Sequence, residues 1–594
     1  MENLTYLEIR KKYLDHMKKN RHIEIPGASI IPENDPTLLF VNAGMVPLVP
    51  FLLGEKHPSG TRITNVQRCI RTIDIDEVGD TQHLTAFEML GNWSLNDYFK
   101  KEAINFTLSF FLDVMGFDID NIYASVFEGN HDAPRDEESI KIWSEIFQKN
   151  GIEPTVGKDG RIFPYPKEEN WWELESGGPC GPCSEIFYDT GKDPCGKDCE
   201  PRCPCGKYIE LGNNVFMEYL KEKGNYSKME RHNVDFGGGL DRYAMISQGT
   251  DSVFETDIYK PILETVQNLS SEDLVKSQRV VVDHIKAATW MVSEGVIPGR
   301  TERSYVLRRI IRKAVRHARL LGIKENFTRK VGAVAIEQFS PVYPNLSKTQ
   351  DQTLEIIEEE EKKFRKTIND GIKKFEALVK DNKGISGEEA FYLYETYGFP
   401  IEITKEMAEE KGFKVDLEQF KKAFDNHREK SRDAAKGFFK GGLADTSDMS
   451  KKYHTTTHLL NAALKMVLGN HVHQKGSNIN PDRLRFDFAH DQKLTDEQIA
   501  EVENIVNEQI QKDLPVCFEE VPKKEALKLV PDAVFVEKYG DKVKVYSIGD
   551  KENPFSLEIC GGPHVEKTSE LGKFKIIKQE SVGAGVRRIK AILE

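Results

Sequence analysis

No stretch of the 594-residue chain approaches the ~18 consecutive apolar residues that a membrane-spanning helix needs. Nor does its start, MENLTYLEIRKKYLDHMKKN, hold the apolar core of a signal peptide. The expectation is a cytoplasmic protein with no membrane partner. Two nucleotide-binding signatures are missing, the G-x-x-x-x-G-K-[ST] phosphate loop and the G-x-G-x-x-G turn, which argues against a P-loop or dinucleotide-binding fold. Internal repeats and low-complexity tracts are absent too. Positive charge does not predominate: 83 Lys and Arg stand against 96 Asp and Glu, a net charge of −13, so any nucleic-acid contact must be a local patch. Cysteines number only nine, an odd count, and six crowd between Cys180 and Cys205. That clustering suits metal ligation in a reducing compartment better than a disulfide framework.

What is present is modular. At this length the prior is about four domains. From residue 38 to about 246, short β-rich runs (IYASVF, EIFYD, NVFMEYL, MERHNVDFG) alternate with Gly/Pro turns, which predicts a mixed α/β domain over 1–250 on a largely antiparallel sheet. From 251 to 440 the period becomes helical, with Leu354, Ile357, Phe364, Ile368, Ile372, Phe375 and Val379 forming one apolar stripe. A soft linker over 441–452 follows. The remainder, 453–594, reads as a small α+β domain with strands LRFDFAH, VKVYSI and GKFKIIK.

Two groups of residues have the character of metal ligands. His454 and His458 in HTTTH project from one face of a predicted helix, and CGGPH supplies Cys560 and His564 on a loop that Gly561 and Gly562 make tight. Four N/S donors in one small domain suit tetrahedral Zn²⁺; the alternative is histidines and a cysteine that merely pack. HTTTH lacks the glutamate base of HExxH, which argues against a peptidase. The second group is CGKDCEPRCPC, with Cys195, Cys199, Cys203 and Cys205, dense in Gly and Pro and without an apolar pattern. It reads as a structural Cys₄ zinc site or, failing that, a reduced surface loop. Cys180 and Cys183 in GGPCGPCSEIFYD read as backbone architecture near the main site.

Between Arg300 and Arg319, eight Lys and Arg face one acid, Glu302. Arg308, Arg312, Arg316 and Arg319 run down one helical face opposite Val306, Leu307, Ile310, Ile311 and Val315. Such a run is commonly only a solvated face, but the strongest positive stripe of an acidic chain predicts phosphate-backbone contact. Elsewhere Arg68 and Arg242 offer themselves to anionic oxygens, Phe87 and Trp172 as stacking or pocket walls, and Asp235 stands beside a glycine run. That combination fits an enzyme using a nucleoside triphosphate.

Taken together, NDPTLLFVNAGM, QRCIR with FEMLGNWS, GPCGPCSEIFYD, VDFGGGLDR, YVLRRIIRKAVRH, YETYGFP, HTTTHLLNAAL, HVHQKGS, LRFDFAH and CGGPHV resemble the alanyl-tRNA synthetase family, in that family's order and over nearly the whole chain. The resemblance implies a class II aminoacylation core, a helical tRNA-recognition domain and a zinc-containing α+β editing domain. It implies that Arg68 and Phe87 belong to motif 2 and Arg242 to motif 3, binding ATP with Mg²⁺. Trp172, Asn213, Val215, Asp235 and Gly237 would line the alanine pocket. His454, His458, Cys560 and His564 would hold Zn²⁺, with Gln474 nearby. The implied activity is ligation of L-alanine to tRNA(Ala) and hydrolysis of mischarged seryl- and glycyl-tRNA. A free-standing editing hydrolase and a non-catalytic tRNA-binding paralogue are the alternatives, and intact Arg68, Asp235 and Arg242 argue against them. Against the family pattern, a β-barrel lobe before HTTTH and a further C-terminal domain are not found, which predicts a minimal, monomeric form. Arg300 and Glu402 stand where the family reads a G·U acceptor-stem pair with asparagine and aspartate, and Pro563 replaces the threonine of CGGTH.

Overall fold

The computed structural model describes residues 2–33, 38–173, 177–381, 384–438, 448–480, 483–530, 542–583 and 586–594. They form two compact units, Met1–Ile385 with Tyr392–Lys414, and Ser386–Phe391 with Val415–Glu594. The strand-rich segment and the expected helical segment as far as Ile385, with Tyr392–Lys414, thus share one unit, whereas Ser386–Phe391 and the helical residues from Val415 on belong to the other.

Nine strands make the sheet of the first unit: β1 (Ile23–Glu24), β2 (Arg62–Ile70), β3 (Ala86–Leu95), β4 (Ile122–Phe127), β5 (Ile162–Tyr165), β6 (Trp171–Trp172), β7 (Gly178–Asp189), β8 (Tyr208–Glu222) and β9 (Asn225–Gly239). Their order is β1-β2-β3-β9-β8-β7-β4-β5, with β6 on β7. The β1–β2 and β4–β5 pairs are parallel and the others antiparallel. The central strand β3, AFEMLGNWSL, is buried along nearly its whole length, because both faces of the sheet are covered. Against one face lies the helix Tyr6–Lys19, which starts at a Thr5/Glu8 capping box and buries Tyr6, Ile9, Tyr13, Leu14 and Met17. Its Tyr13 hydroxyl donates to Asn92 Oδ1 at 2.8 Å. The helix Val275–Ser293 is tied to the start of β3: Asp283 accepts from the Thr85 N–H at 2.8 Å, and Lys286 donates to the Ala86 carbonyl. These buried polar bonds explain why the helical segment is continuous with the sheet. The helix Gln350–Asp381 buries the apolar stripe read from its sequence.

In the second unit, β10 (Gln474–Asn480), β11 (Arg483–Ala489), β16 (Val586–Leu593) and β15 (Phe574–Gly583) form a sheet in the order β10-β11-β16-β15, and β12 (Val516–Pro522), β13 (Lys542–Gly549) and β14 (Pro554–Ile559) form another. Strand β11 alternates as LRFDFA should, with Leu484, Phe486 and Phe488 inside. Their side chains share a core with Leu459, Leu460 and Leu464 of the helix Asp448–Leu468 and with Val502 and Val506 of the helix Asp496–Gln511. The first of these helices starts at Asp448, so residues 448–452 of the expected linker are helical. Residues 441–447 lie outside the described residues.

Candidate active and metal sites

Residues opposite each other in adjacent strands share a sheet face. Across β3, β9, β8 and β7 the register sets Trp93 against Asp235, Asp235 against Val215 and Val215 against Cys183. Two residues along, Gly91, Gly237, Asn213 and Glu185 form the next row on the same face. Trp172, on β6, packs against the cluster that contains Trp93, Cys183 and Val215. The structure therefore gathers all five residues of the expected alanine pocket. Gly237 is there because a Cβ would lie 2.7 Å from the Met89 sulfur. Asp235 is 6% exposed, and its Oδ1, like Oδ1 of Asn213, has no hydrogen-bond partner among the described residues. Burial pushes the Asp235 carboxyl up to about 7. A buried acid with one partnerless oxygen, and a partnerless amide oxygen on the same face, calls for a cationic donor.

The two arginines of RCIR part company. Cys69 pairs with Phe87 and Arg68 with Glu88, so Arg68 lies on the opposite face from Phe87, Gly91 and Trp93. There its guanidinium stacks 4.5 Å over Tyr343 and 5.7 Å from Trp290 and pairs with Glu294. The expectation that Arg68 binds ATP is corrected: it fastens the helical segment to the back of the sheet. Arg71 instead lies 5.0 Å over the Phe87 ring, and its Nε donates to the Asn42 carbonyl at 3.1 Å. Arg242, in the first turn of the helix Leu240–Ser247, donates to the carboxylate of Glu210 at 2.7 Å. Burial would raise Glu210, but Arg242, with Arg71 and His83, holds it below the usual carboxylate range. Glu185, which accepts from Ser125 Oγ at 3.0 Å, is pushed well above that range by burial and by Glu210. Arg71, Glu185 and Glu210 were not singled out from the sequence. For Arg71 the signal was strand parity.

In the second unit the four ligand atoms of His454, His458, Cys560 and His564 lie within 4.8 Å of one another. The helix Asp448–Leu468 presents both histidines, and the loop after β14 brings the other two. Each Nδ1 has an outer partner: His454 the Pro563 carbonyl at 3.2 Å, His458 a Glu558 oxygen at 2.7 Å, and His564 the Thr455 hydroxyl at 3.2 Å. The Nε2 atoms are thereby turned inward. Those of His458 and His564 are buried without partners, and that of His454 is 3.3 Å from Cys560 Sγ. Burial would raise the Cys560 thiol, yet the three imidazoles hold it well below its ordinary value. Orphaned inward donors, a thiol inclined to ionise and fixed tautomers are what a tetrahedral N₃S metal site requires. Gln474 lines an adjoining cavity of about 170 Å³ with Glu558, Asn461, His473 and Lys465. Glu558 and Asn461, whose amide donates to Glu558 at 2.7 Å, were also missed in the sequence. Sγ atoms of Cys195, Cys199, Cys203 and Cys205 form a second such group in the β7–β8 connection.

The basic helix Glu302–Leu320 is turned inward. Arg312 is 7% exposed and donates to Glu360 at 2.6 Å and to the Gly398 carbonyl; Arg316, 4% exposed, pairs with Glu410 and with Glu406 at 3.4 Å. Arg308 is half-buried, 3.8 Å from Glu360. Phosphate contact by Arg312 and Arg316 is therefore corrected: carboxylates from following helices neutralise them. Arg300 and Arg319 are exposed, the latter donating to Asn369 at 3.1 Å. Glu402 accepts from the Tyr305 hydroxyl at 2.8 Å and sits 3.6 Å from Arg309.

Residues 8–479 match the family described as tRNA synthetases class II (A), and residues 543–590 match the threonyl and alanyl tRNA synthetase second additional domain. The chain is 49% identical to an alanine–tRNA ligase of Treponema denticola, covering all of both chains. It is 46% identical to that of Treponema pallidum, over 99% of this chain and 98% of the relative. With that of Thermoanaerobacter sp. strain X514 the identity is 36%, over 100% and 80%. A class II match across most of its length, together with full-length relatives at this identity, shows that the chain belongs to the alanine–tRNA ligase family.

Proposed function

We propose that the protein activates L-alanine with ATP, transfers it to the 3′ end of tRNA(Ala), and hydrolyses seryl- and glycyl-tRNA(Ala) in its second unit. The observation that carries this reading is the buried Asp235 carboxyl, whose Oδ1 has no partner among the described residues, on a sheet face shared with Val215, Gly237 and Asn213.

Activation is attack of the alanine carboxylate on the α-phosphorus of ATP with pyrophosphate leaving, a step that needs positioning and charge neutralisation more than a proton donor. Asp235 holds the ammonium, which fixes the direction of the carboxylate. Arg71 neutralises the α-phosphate, Phe87 offers a ring face to the adenine, and Arg242 takes the distal phosphates. Glu185 and Glu210 would hold Mg²⁺ with ATP, which when bound supplies further neutralisation of the phosphates. The tRNA 3′-terminal hydroxyl then attacks the adenylate.

In the second unit His454, His458, Cys560 and His564 would hold Zn²⁺, which when bound supplies a positive centre beside the ester. Gln474 and Glu558 orient the aminoacyl end in the adjoining cavity. The exposed Arg300 contacts tRNA phosphate, while Glu402, in the first turn of the helix Ile401–Glu409, is engaged by Tyr305 rather than reading a base. No described helix is long and apolar enough to cross a membrane. We take the setting to be the cytoplasm, where tRNA, ATP and alanine meet, and the working form to be a monomer.

Alanine-dependent ATP–pyrophosphate exchange, followed by charging of tRNA(Ala) and deacylation of seryl-tRNA(Ala), tests the reading. No exchange with alanine would refute the ligase assignment, and charging without deacylation would refute the second.

A further inference from the structure

The connection between β7 and β8, residues 190–207, contains neither helix nor strand, and its sequence TGKDPCGKDCEPRCPCGK contains no aliphatic or aromatic residue. A loop this long cannot be ordered by an apolar core of its own, and connections of such length without secondary structure are uncommon in compact domains unless something staples them. The structure shows where the staple lies. The Sγ atoms of Cys195, Cys199, Cys203 and Cys205 all lie within 4.8 Å of one another, with Cys195 and Cys203 at 3.2 Å and Cys199 and Cys205 at 3.6 Å. Tight turns bring them together, Cys199 N–H donating to the Gly196 carbonyl at 3.3 Å and Cys203 N–H to that of Glu200 at 2.8 Å. For a tetrahedral ion with metal–sulfur bonds of about 2.3 Å, the sulfur–sulfur edges are about 3.8 Å, within the span observed. No other cysteine joins the group: Cys180 and Cys183 are buried within β7.

We propose that Cys195, Cys199, Cys203 and Cys205 hold a second metal ion, Zn²⁺, as a closed thiolate site that braces the β7–β8 connection against the catalytic sheet. The donor set is all sulfur, with no fourth position left for water, so the site is structural and distinct in chemistry from the N₃S site of the second unit. The brace has definite anchors. Thr190 N–H donates to the Lys207 carbonyl at 2.8 Å and closes the base of the loop. Arg202 lies 5.0 Å over the ring of Tyr165 on the edge strand β5, and Lys158 pairs with Asp198. Lys192 reaches Asp251 at 3.2 Å, beyond the helix that bears Arg242. From Cys205 the chain runs directly into β8, where Glu210 holds Arg242. A metal that fixes the loop therefore fixes the start of the strand on which the phosphate-facing arginine rests.

The test is metal analysis of the full chain purified under reducing conditions. Two zinc ions per chain are expected in the parent, one in Cys199→Ser/Cys203→Ser, and one in Cys560→Ala/His564→Ala, the remaining ion residing in the other unit. Cys203→His serves as a second variant that guards against loss of the fold in the first: a donor is kept, so two zinc ions should remain. Cobalt substitution in Cys560→Ala/His564→Ala should give the intense thiolate-to-metal charge-transfer band of a tetrahedral S₄ site. Trypsin in the presence of a chelator should cut at Lys192, Lys197 and Arg202, which the metal-loaded chain protects. One zinc ion in the parent, lost with Cys560 and His564, would overturn the proposal. So would four freely titrating thiols, disulfides among these cysteines, or iron in place of zinc.

Discussion

Replacing Asp235 by Asn keeps the side chain's shape and removes its charge, and the structure sets two opposite consequences. The carboxyl is buried, its Oδ1 has no hydrogen-bond partner among the described residues and the Trp93 side chain is its one neutral partner, so in the proposed reaction alanine's ammonium would be the cation that neutralises it. Removing one partner of a desolvated charge pair costs about 3–5 kcal/mol. At 1.36 kcal/mol per factor of ten, that is a loss of roughly two to three and a half orders of magnitude in kcat/KM for alanine. In the parent, moreover, burial pushes the carboxyl up to about 7. Alanine binding should weaken about tenfold for each pH unit below that, and the Asn variant should show no such slope. Stability should move the other way. A folded-state value near 7 against about 3.9 unfolded means that between pH 4 and 7 the native state binds more protons than the unfolded chain, so stability falls as pH rises through this window. The penalty above pH 7 is at most about 4 kcal/mol, and Asn does not incur it. Asp235→Asn should therefore melt higher than the parent at pH 8 and at the parent's temperature at pH 4. Pyrophosphate exchange at the parental rate, or a variant that melts lower at pH 8, would refute the assignment of Asp235 as the ammonium's partner.

Arg71→Ala should raise KM for ATP about a hundredfold in the exchange assay with little change in melting temperature, whereas Arg68→Ala should lower the melting temperature, by unpairing Glu294 and the rings beneath it, and leave KM for ATP within a few-fold. Cys560→Ala should leave charging of tRNA nearly unchanged and abolish deacylation of seryl-tRNA, with one zinc ion fewer by metal analysis. Glu558→Gln should weaken zinc retention roughly 10- to 100-fold in competition with a chelator, because the outer partner of His458 becomes neutral. Arg300→Asn should weaken tRNA binding more at low salt than at high salt, and exchanging the acceptor-stem G·U pair for G·C should reduce charging little; strong G·U dependence would show that this region reads the pair after all.

Much of the second site was legible because its chemistry is local: HTTTH places two imidazoles on one helical face whatever surrounds it, and CGGPH can only be a tight loop. The residues of the proposed alanine pocket were legible as types, yet their placement on one face depends on the register of four strands, which no local pattern fixes. Arg68 was misread because only two residues, Cys69 and Ile70, separate it from Arg71, and only the alternation of β2 against Phe87 assigns the two arginines to opposite faces. The arginine stripe was misread for a different reason. Its neutralising acids lie 48 residues away at Glu360 and 94 away at Glu410, so a local window sees the cations alone. Likewise the segment boundary at 250/251 is a true change of period, but Asp283 and Lys286 bond back to β3, and the helices as far as Ile385 share one unit with the sheet.

The pocket also explains why one protein of this family needs two sites. Alanine differs from glycine by a methyl group, and burying it is worth about 0.8 kcal/mol for a methylene-sized group, a few-fold in selectivity. Steric exclusion cannot help against a smaller substrate. Serine is larger by one oxygen, and here the wall is not wholly apolar: Asn213 Oδ1 is buried and unpaired on the same face as Asp235, so it can accept a hydrogen bond from the serine hydroxyl. In the proposed pocket the polar neighbour of Asp235 would therefore also soften rejection of serine. Replacing Asn213 by an apolar residue would sharpen rejection of serine only by removing a polar neighbour of the ammonium. With both errors unavoidable at the activation step, discrimination has to come from a second chemistry applied after transfer. The N₃S site and the cavity lined by Gln474 and Glu558 sit in a separate unit and share no residue with the first pocket, so hydrolysis there can be selective by other contacts than those that admitted the wrong amino acid.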